Sequence, residues 1–435
     1  MRSQELTEFA GKYMAGGVSS SIRINRAIGR PLFMARGDGP KVWDVDGNEM
    51  YDLNNSHGAT ILGHNHPKLR AAVEKGLDMG VICSYETEYQ SQLAQKICSM
   101  VPAMERVRYT CSGTEATMHL TRLAREITGK DKIIKFEGHF HGYHDYVQFS
   151  SSPPLDKAGP PDAPTPYCQS GGIPDTIADL IIVVPFNDLD ALEKAIRENK
   201  DEAAAVILEP INYNSGCIVP TREYMEALRR LTIENDVLLI FDEVLSAFRT
   251  NRGCAQEYFQ VVPDLCAIGK CVAGGYPLSV FGGKKEFMDH VRPKGRSEHS
   301  GTYNGHLIPV LAALACLEEI DAPGFFDYVN QLADRFYAGL DQIFRETGLG
   351  RVQGLGARFG MYFGIDEEVT NYREAAKSDP ELSLEFTAAA INNGVYIADY
   401  GGKAAHHGFS TAYTPADVDE VLDRLHDAAR QVMQG

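Results

Sequence analysis

The sequence predicts an α/β fold: a large domain with a mostly parallel sheet, joined to a smaller α/β domain built from both ends of the chain. The middle of the chain alternates short β-branched runs with longer helical patterns, which is typical of strand–helix–strand units around a parallel sheet. The chain has 435 residues, 44% of them hydrophobic. This is enough to bury one large core or two linked cores.

Six short runs in the middle of the chain are predicted as strands because they are apolar or rich in β-branched residues. They are Arg106–Thr110, Lys132–Phe136, Leu180–Val184, Ala203–Leu208, Val237–Phe241 and Leu278–Phe281. The helical patterns between them include Glu115–Thr128, Leu189–Glu198 and Arg222–Asn235. We therefore expect the large domain to extend over residues 56–320.

The two ends of the chain carry strand patterns of their own. In the N-terminal segment, residues 1–55, the turn dipeptide Asp46-Gly47 lies within the strand-like run Lys41–Asn48 and predicts a hairpin. The C-terminal segment, residues 321–435, carries two predicted strands and a closing helix: Phe359–Phe363, Val395–Ala398 and Pro415–Gln431. We expect the two segments to form the smaller domain together.

Residues 150–172 form a long insertion within the predicted large domain. The segment is rich in Pro, Ser and Gly. Long irregular insertions in compact domains are often functional lids. A plain surface loop explains the composition equally well.

Composition narrows the classes of partner and the compartment. The net charge of -17 disfavours non-specific binding to nucleic acid or to an anionic membrane, so a small-molecule substrate is expected. The nine cysteines are scattered and include no C-x-x-C pair, which is typical of a reducing cytoplasm. The N-terminus lacks the apolar core of a signal peptide, and no apolar run is long enough to span a bilayer. We therefore expect a cytoplasmic protein.

Two predicted strand ends carry residues suited to ligand binding. Cys111–Ala116 follows a strand and opens a helix, and its small residues leave backbone N–H groups free to bind a phosphate. An ordinary helix cap by Ser112 or Thr114 is the simpler explanation of this motif alone. Asp242 and Glu243 end an apolar strand, where parallel sheets bind ligands, so Asp242 could hold a ring nitrogen protonated. A helix cap or a metal-binding carboxylate pair explains them equally well.

Lys270 is the third feature, because it lies among apolar and glycine residues in Ala267–Pro277. A lysine removed from water tends to lose its proton, and the neutral amine is the form that makes a Schiff base. A lysine that extends from a strand end into solvent is the alternative. A phosphate-binding turn, a carboxylate for a pyridine nitrogen and a desolvated lysine are together the parts that pyridoxal 5′-phosphate (PLP) requires.

At these residues the chain resembles the class III aminotransferases, which are PLP-dependent transferases of fold type I. The resemblance is greatest to the branch around glutamate-1-semialdehyde aminomutase, and it extends from Gly16 to the C-terminal helix. The matching segments are Trp43–Gly47, Leu62–His64, Ser112–Ala116, Lys135–Gly138, His141-Gly142, Glu209-Pro210, Phe241–Val244 and Gly269-Lys270. So many matches in the same order make the family assignment specific.

The resemblance implies which residues bind the cofactor: Ser112, Gly113, Thr114, Phe140, His141, Glu209, Asp242, Val244, Lys270 and Thr302. Lys270 would form a Schiff base with PLP and then carry the proton between substrate and cofactor. Asp242 would pair with the pyridine nitrogen, while Phe140 and Val244 would cover the two faces of the ring. Thr302 would reach the phosphate bound by the other subunit, which implies a homodimer with shared active sites.

Substrate choice rests on Arg23, which stands where the resembled branch binds the substrate carboxylate. A guanidinium suits a carboxylate because it donates two parallel hydrogen bonds, although a plain surface arginine is the alternative. The chain departs from the branch at Tyr303–Leu307, at His139–Asp145 and at Ala404–Phe409, where no second arginine is present. These departures favour a transaminase that exchanges amino groups between a β- or other unusual amino acid and a keto acid. The alternative is the aminomutase reaction, which returns the amino group to the same substrate skeleton.

Two other classes of function compete with this interpretation. A metal-dependent hydrolase would use a cluster of side chains as ligands: His139, His141, His144, Asp145, Asp242 and Glu243. That hypothesis leaves Lys270 and the turn at Ser112 without a role. A non-catalytic protein of the same fold is disfavoured because Lys270 and Asp242 are both present.

Overall fold

The computed structural model describes residues 2–434 as fourteen α-helices and sixteen strands. Before residue 101 they are α1 (Arg2–Tyr13), β1 (Ile24–Asn25), β2 (Arg30–Pro31), β3 (Met34–Asp38), β4 (Lys41–Asp44), β5 (Glu49–Asp52), α2 (Asn55–Gly58), α3 (Pro67–Asp78) and α4 (Glu88–Met100). Up to residue 283 they are β6 (Arg106–Thr110), α5 (Gly113–Thr128), β7 (Lys132–Phe136), β8 (Ile181–Val184), α6 (Leu189–Asn199), β9 (Ala203–Leu208), α7 (Arg222–Glu234), β10 (Leu238–Glu243), α8 (Cys254–Phe259), β11 (Leu265–Ile268) and β12 (Ser279–Gly283). The remainder are α9 (Lys285–Met288), α10 (Leu307–Ile320), α11 (Phe325–Thr347), β13 (Gly350–Leu355), β14 (Arg358–Phe363), α12 (Tyr372–Ala375), α13 (Pro380–Asn392), β15 (Val395–Tyr396), β16 (His406–Gly408) and α14 (Pro415–Gln434).

A seven-stranded sheet forms the centre of the molecule, with the order β6-β12-β11-β10-β9-β7-β8. Only β12 runs antiparallel to its neighbours, so the sheet is mostly parallel, as predicted. All six residues of β9 are buried, which explains why this central strand is a continuous apolar run rather than an alternating one. The α/β fold class predicted from the sequence is confirmed.

Predicted and observed elements of the central sheet agree to within about two residues at each end. The strands β6, β7 and β9 have the predicted bounds, and β10 extends to Glu243. The strand β11 was not among the predictions. It has only four residues, and this apolar run is too short to indicate a strand by its periodicity. The Gly269-Lys270 motif follows it directly.

The parallel strands bring distant parts of the sequence to one edge of the sheet. Because β6, β7, β9, β10 and β11 point the same way, the residues that follow them all lie at the carboxyl ends of the strands. Ser112, Phe140, Glu209, Asp242 and Lys270 each follow or end one of these strands. This edge is where open α/β sheets bind ligands.

A second sheet joins the two ends of the chain in the order β15-β5-β4-β3. The predicted hairpin is present, with Val42 opposite Met50 in the antiparallel pair β4–β5. The C-terminal strand β15 pairs in parallel with β5, with Val395 opposite Tyr51. Pairing between the ends of the chain agrees with a domain built from both termini, while the boundaries at residues 55 and 320 stay predictions.

The insertion over residues 150–172 is irregular apart from a single β-bridge between Phe149 and Cys168. The region around α12 contacts it closely: the hydroxyl of Tyr372 donates to the carbonyl of Pro153 at 2.7 Å, and the Arg373 guanidinium donates to the carbonyl of Gly159 at 2.9 Å. Closure of this segment over a ligand stays a prediction. No helix within residues 2–434 is both long and apolar enough to cross a membrane.

Candidate active site

The turn between β6 and α5 offers free backbone donors. Ser112 caps α5: its hydroxyl accepts from the N–H of Glu115, and the Glu115 carboxylate accepts from the N–H groups of Cys111 and Ser112 at 2.8 and 2.9 Å. The N–H groups of Gly113 and Thr114 are among the first in the helix, so they have no acceptor inside it. The cap and the phosphate site are therefore compatible, because the cap leaves these two donors at the positive end of the helix.

Asp242 lies near the end of β10, and its carboxylate is held from two sides. Its Oδ2 atom is 2.8 Å from Nδ1 of His141, and its Oδ1 atom accepts from the N–H of Val244 at 3.1 Å. Burial lowers the pKa of His141, while the charge of Asp242 opposes that shift. Asp242 is only 5% exposed. A carboxylate fixed in this way is suited to stabilise a protonated ring nitrogen.

Lys270 opens the 3₁₀ turn Lys270–Ala273 that follows β11. Its φ is +46°, in the left-handed region that residues other than glycine rarely adopt. Burial lowers the pKa of Lys270 to about 8, while the charges of Asp242 and Glu209 act in the opposite direction. An appreciable fraction of the amine is therefore neutral near pH 7, and the neutral form is the nucleophile. Strained backbone and a shifted pKa occur together here, as is common at active sites.

Glu209 connects the end of β9 to the segment that carries Phe140. Its carboxylate accepts from the N–H of Phe140 at 2.8 Å and from the side-chain amide of Asn214 at 2.7 Å. Its own N–H donates to Nδ1 of His139 at 3.0 Å. Burial, reinforced by the charge of Asp242, raises the pKa of Glu209 to about 8. Glu209 therefore fixes the position of Phe140 through its backbone.

A cavity of about 280 Å³ lies between these strand ends, close to the roughly 300 Å³ at which small-molecule pockets begin. It is lined by most of the predicted cofactor residues: Ser112, Gly113, Thr114, Phe140, His141, Glu209, Asp242, Val244 and Lys270. Gly113 must lack a side chain, because a Cβ there would lie 2.8 Å from Cγ1 of Val244. Free N–H donors, apolar walls, a buried carboxylate and a desolvated amine in one cavity fit the phosphate, ring, ring nitrogen and aldehyde of PLP.

Two predicted site residues lie outside the lining of this cavity. Arg23 is exposed at the end of the 3₁₀ turn Ser21–Arg23, and its charge contributes to lowering the pKa of His57. Thr302 is exposed, and its carbonyl accepts from the hydroxyl of Ser84 at 3.0 Å. Contact of Thr302 with a phosphate bound by another subunit stays a prediction.

The histidine cluster is not arranged as a metal centre. Within residues 2–434, no group of three or more His, Cys, Asp and Glu side chains could hold a metal ion. His141 is bound to Asp242, and His139 accepts from the backbone of Glu209. Burial lowers the pKa of His144 to about 3. These histidines therefore support the cavity as neutral side chains, and the structure gives the hydrolase hypothesis no support.

Reasoning from the sequence alone did not identify His57 and Tyr400, which lie on the side of the site near Arg23. Nδ1 of His57 is 2.9 Å from the hydroxyl of Tyr400. The charges of Lys270 and Arg23 both contribute to lowering the pKa of His57, which places this histidine near both. The run Asn54–Gly58 could have been noticed in the sequence as a cluster of turn residues just before the Leu62–His64 motif. A single loop histidine carries no sign of its partner, however, when that partner is more than 300 residues away.

Comparison with known proteins agrees with this geometry. The class-III aminotransferase family model matches residues 24–429. The chain is 38% identical to a glutamate-1-semialdehyde 2,1-aminomutase from Methanosarcina acetivorans, over 97% of each chain.

Two solved structures are also similar. An omega-transaminase from Sphaerobacter thermophilus has a TM-score of 0.91 at 31% identity, over 100% of this chain and 98% of that one. A glutamate-1-semialdehyde aminomutase from Pseudomonas aeruginosa PAO1 has a TM-score of 0.89 at 25% identity, over 99% and 94%. The chain therefore belongs to the class-III aminotransferases and is a PLP-dependent enzyme, either a transaminase or an aminomutase.

Proposed function

We propose that the chain moves an amino group within a substrate that has one carboxylate, in the manner of a glutamate-1-semialdehyde 2,1-aminomutase. The names of its relatives support this alternative better than the transaminase on a β-amino acid that the sequence favoured. The observation that carries the proposal is the distribution of positive charge. Lys270 is the one cationic residue among those lining the cavity within residues 2–434, and Arg23 is exposed nearby.

This distribution suits a substrate with one charged end. Arg23 would bind the carboxylate at the mouth of the site, because a guanidinium can donate two parallel hydrogen bonds to it. The carbons that exchange the amino group would then lie next to Lys270. Glutamate 1-semialdehyde has one carboxylate at the end opposite to its reacting carbons. Moving its amino group from C2 to C1 gives 5-amino-4-oxopentanoate, an isomer that requires no second substrate.

The residues of the site have distinct parts in this reaction. When bound, PLP supplies an electron-accepting ring that stabilises negative charge on the substrate carbon next to the nitrogen. The N–H groups of Gly113 and Thr114 would hold the phosphate, and Asp242 would hold the ring nitrogen protonated. Lys270 would bond covalently to the cofactor at rest. During turnover, its neutral Nζ would take the proton from one substrate carbon and return it to another.

Three supporting roles follow from the contacts of the remaining residues. His141 would keep the Asp242 carboxylate in one orientation through the 2.8 Å contact between them. Phe140 and Val244 would cover the faces of the ring and keep water out. Glu209 would fix Phe140 through its hydrogen bond to the backbone N–H of that residue.

A turnover experiment tests the proposal directly. Glutamate 1-semialdehyde is added in large excess to the holoenzyme, with no other amino acid or keto acid present. We expect many turnovers to 5-amino-4-oxopentanoate per active site, measured by mass spectrometry. Reaction that stops after about one turnover and resumes only when a keto acid or amino donor is added would contradict the aminomutase proposal.

The second candidate is the transaminase. It is favoured by the match to an omega-transaminase, which has the higher TM-score of the two structures described above. It is also favoured by the segment Tyr303–Leu307, which departs from the resembled branch. In this case a β-amino acid or another unusual amino acid would deliver its amino group and leave as a keto product. A single-turnover result in the experiment above would support this candidate.

We also propose a homodimer with active sites at the interface, in which Thr302 reaches the cofactor phosphate of the partner. The exposure of Thr302 and its position outside the cavity of its own chain support this arrangement. Sedimentation of the holoenzyme tests it, with a dimer mass expected and a monomer mass contradicting it. The cytoplasmic location and the domain boundaries at residues 55 and 320 remain part of the proposal.

A further inference from the structure

Three segments that are far apart in the sequence meet beside the cavity: one carries Arg23, one is the turn at residues 55–58, and one carries Tyr400. A hydrogen bond joins the first segment to the third, because the N–H of Arg26 donates to Oδ2 of Asp399 at 2.5 Å. The other oxygen of Asp399 accepts from the N–H of Gly401 at 2.6 Å. Asp399 thus fixes the loop of Tyr400 against the segment of Arg23.

The second segment, residues 55–58, has an unusual backbone. All four residues have positive φ, from +49° to +84°, although only Gly58 is a glycine. Two buried arginines hold this turn: Arg249 donates to the carbonyl of Gly58, and Arg358 donates to the carbonyl of Asn54 at 3.3 Å. Strained backbone persists only where its surroundings impose it, and it is concentrated at functional sites. The turn therefore holds the side chain of His57 in a fixed place.

The contact with Tyr400 determines which ring nitrogen of His57 carries the hydrogen. Burial raises the pKa of the Tyr400 hydroxyl, so it keeps its proton, and we assign this proton to the hydrogen bond with Nδ1 of His57. Burial lowers the pKa of His57 to about 4, with the charge of Lys270 adding to the effect, so the ring is neutral at neutral pH. A neutral ring with an acceptor at Nδ1 carries its hydrogen on Nε2.

The Nε2 atom is available to a ligand. Within residues 2–434 it has no hydrogen-bond partner, and it is not among the polar atoms sealed from solvent. We propose that His57, oriented by Tyr400, determines substrate specificity by donating from Nε2 to an oxygen of the substrate carboxylate that Arg23 binds. This inference rests on the proposed function, since it requires a substrate with a carboxylate at this end of the site.

Two substitutions of His57 separate the hydrogen bond from the shape of the turn. His57→Asn tolerates the left-handed backbone but has no donor at the position of Nε2. His57→Gln has an amide that reaches that position. For a carboxylate-bearing donor, we expect His57→Asn to raise the KM at least about tenfold, as for loss of a hydrogen bond to a charged group. We expect His57→Gln to recover most of this loss, and His57→Asn to lose much of the preference for the carboxylate-bearing donor over a simple alkylamine.

Tyr400→Phe tests the orienting role without touching the turn. It removes only the hydroxyl that orients the His57 ring. We therefore expect the KM for the carboxylate-bearing donor to rise by a smaller factor than in His57→Asn, about threefold to tenfold. The matched control is Tyr328→Phe, which removes a tyrosine hydroxyl that donates to the carbonyl of Tyr413 at 2.6 Å. We expect the control to have the KM of the wild type.

The outcomes distinguish this inference from the proposed function. If the wild type reacts with simple amines as well as with carboxylate-bearing donors, the proposed function fails and the inference fails with it. If the wild type prefers carboxylates but His57→Asn and Tyr400→Phe retain that preference, only the inference is overturned. Arg23→Ala combined with His57→Asn adds a further test. Both residues are expected to bind one carboxylate, so the double variant should lose less than the product of the single losses.

Discussion

The cofactor end and the substrate end of the site are built differently. At the cofactor end, Asp242 and His141 are almost completely buried, and the groups that line the cavity follow strands of one sheet. At the substrate end, Arg23 is exposed, and His57 and Tyr400 come from a strained turn and a loop. The rigid end fixes the chemistry that the family shares. The end built from loops is where we expect substrate specificity to be set, because binding residues often lie on loops held by a rigid scaffold.

The largest effect is expected at the cofactor end. Lys270→Ala would remove both roles proposed for this residue, the covalent attachment of the cofactor and the transfer of the proton. A positioned acid–base group alone contributes about 10²–10⁴-fold to a rate, so we expect turnover to fall by at least this factor. Turnover is measured with the substrate that the wild type uses. Turnover close to that of the wild type would exclude Lys270 from both roles.

Asp242→Asn is expected to come next. The substitution keeps the shape of the side chain but removes the charge that is proposed to stabilise a protonated ring nitrogen. We expect kcat to fall by about 10²–10³-fold, the typical effect of removing one preorganised electrostatic group. His141→Gln is the sharper comparison, because it leaves the carboxylate in place and removes only its neighbour. A larger loss for His141→Gln than for Asp242→Asn would reverse the roles assigned to the two residues.

At the substrate end, Arg23→Ala should change binding more than chemistry. We expect the KM for a carboxylate-bearing substrate to rise by about tenfold to a hundredfold, as for loss of hydrogen bonds to a charged group. The kcat with a simple amine should stay the same. Arg30→Ala is a control for removing a positive charge from the same N-terminal region. Equal losses for amines and carboxylates would remove Arg23 from substrate recognition.

Gly113→Ala tests how tightly the cofactor end is packed. The added methyl group would lie 2.8 Å from Cγ1 of Val244, and overpacking of this kind costs about 1–3 kcal/mol. We expect weaker binding of PLP, by about tenfold, in an equilibrium titration of the apoenzyme. Gly171→Ala is the matched control, because a Cβ there meets nothing within 4 Å. Equal affinity of the two variants for PLP would contradict the packing argument.

The smallest effect concerns pH. The role proposed for Lys270 requires its neutral amine, and burial lowers the pKa of Lys270 to about 8. Loading of PLP into the apoenzyme should therefore slow as the pH falls below about 8. The charge of Asp242 raises the pKa of Lys270, so Asp242→Asn should move the midpoint of this profile to lower pH. Stopped-flow absorbance measures the loading rate, and a midpoint that moves upward would contradict the sign of this coupling.

The same contrast explains what the sequence could predict. Ser112, Asp242 and Lys270 each stand directly at the end or start of a regular element, so a local motif and one rule about strand ends were enough to bring them together. The strand β11 was not predicted because four apolar residues show little periodicity.

The structure of the substrate end could not be predicted from local sequence patterns. The pair of His57 and Tyr400 depends on a contact between residues 343 positions apart in the sequence. The left-handed backbone at residues 55–58 is imposed by Arg249 and Arg358, and nothing in the local sequence identifies these arginines as its support. Arg23 was found only through resemblance to the family. The residues that meet in the cavity could therefore be predicted from the sequence, whereas the contact between His57 and Tyr400 could not.

The most direct test of the central claim is the visible absorption spectrum of the purified holoenzyme during titration with amino donors. The panel contains α- and β-amino acids, glutamate 1-semialdehyde and simple alkylamines. We predict an absorption band from the bound cofactor that changes with donors having one carboxylate remote from the amine, and that changes little with alkylamines at the same concentration. A protein that stays colourless after PLP is added, or a band that responds equally to every amine, would contradict the account.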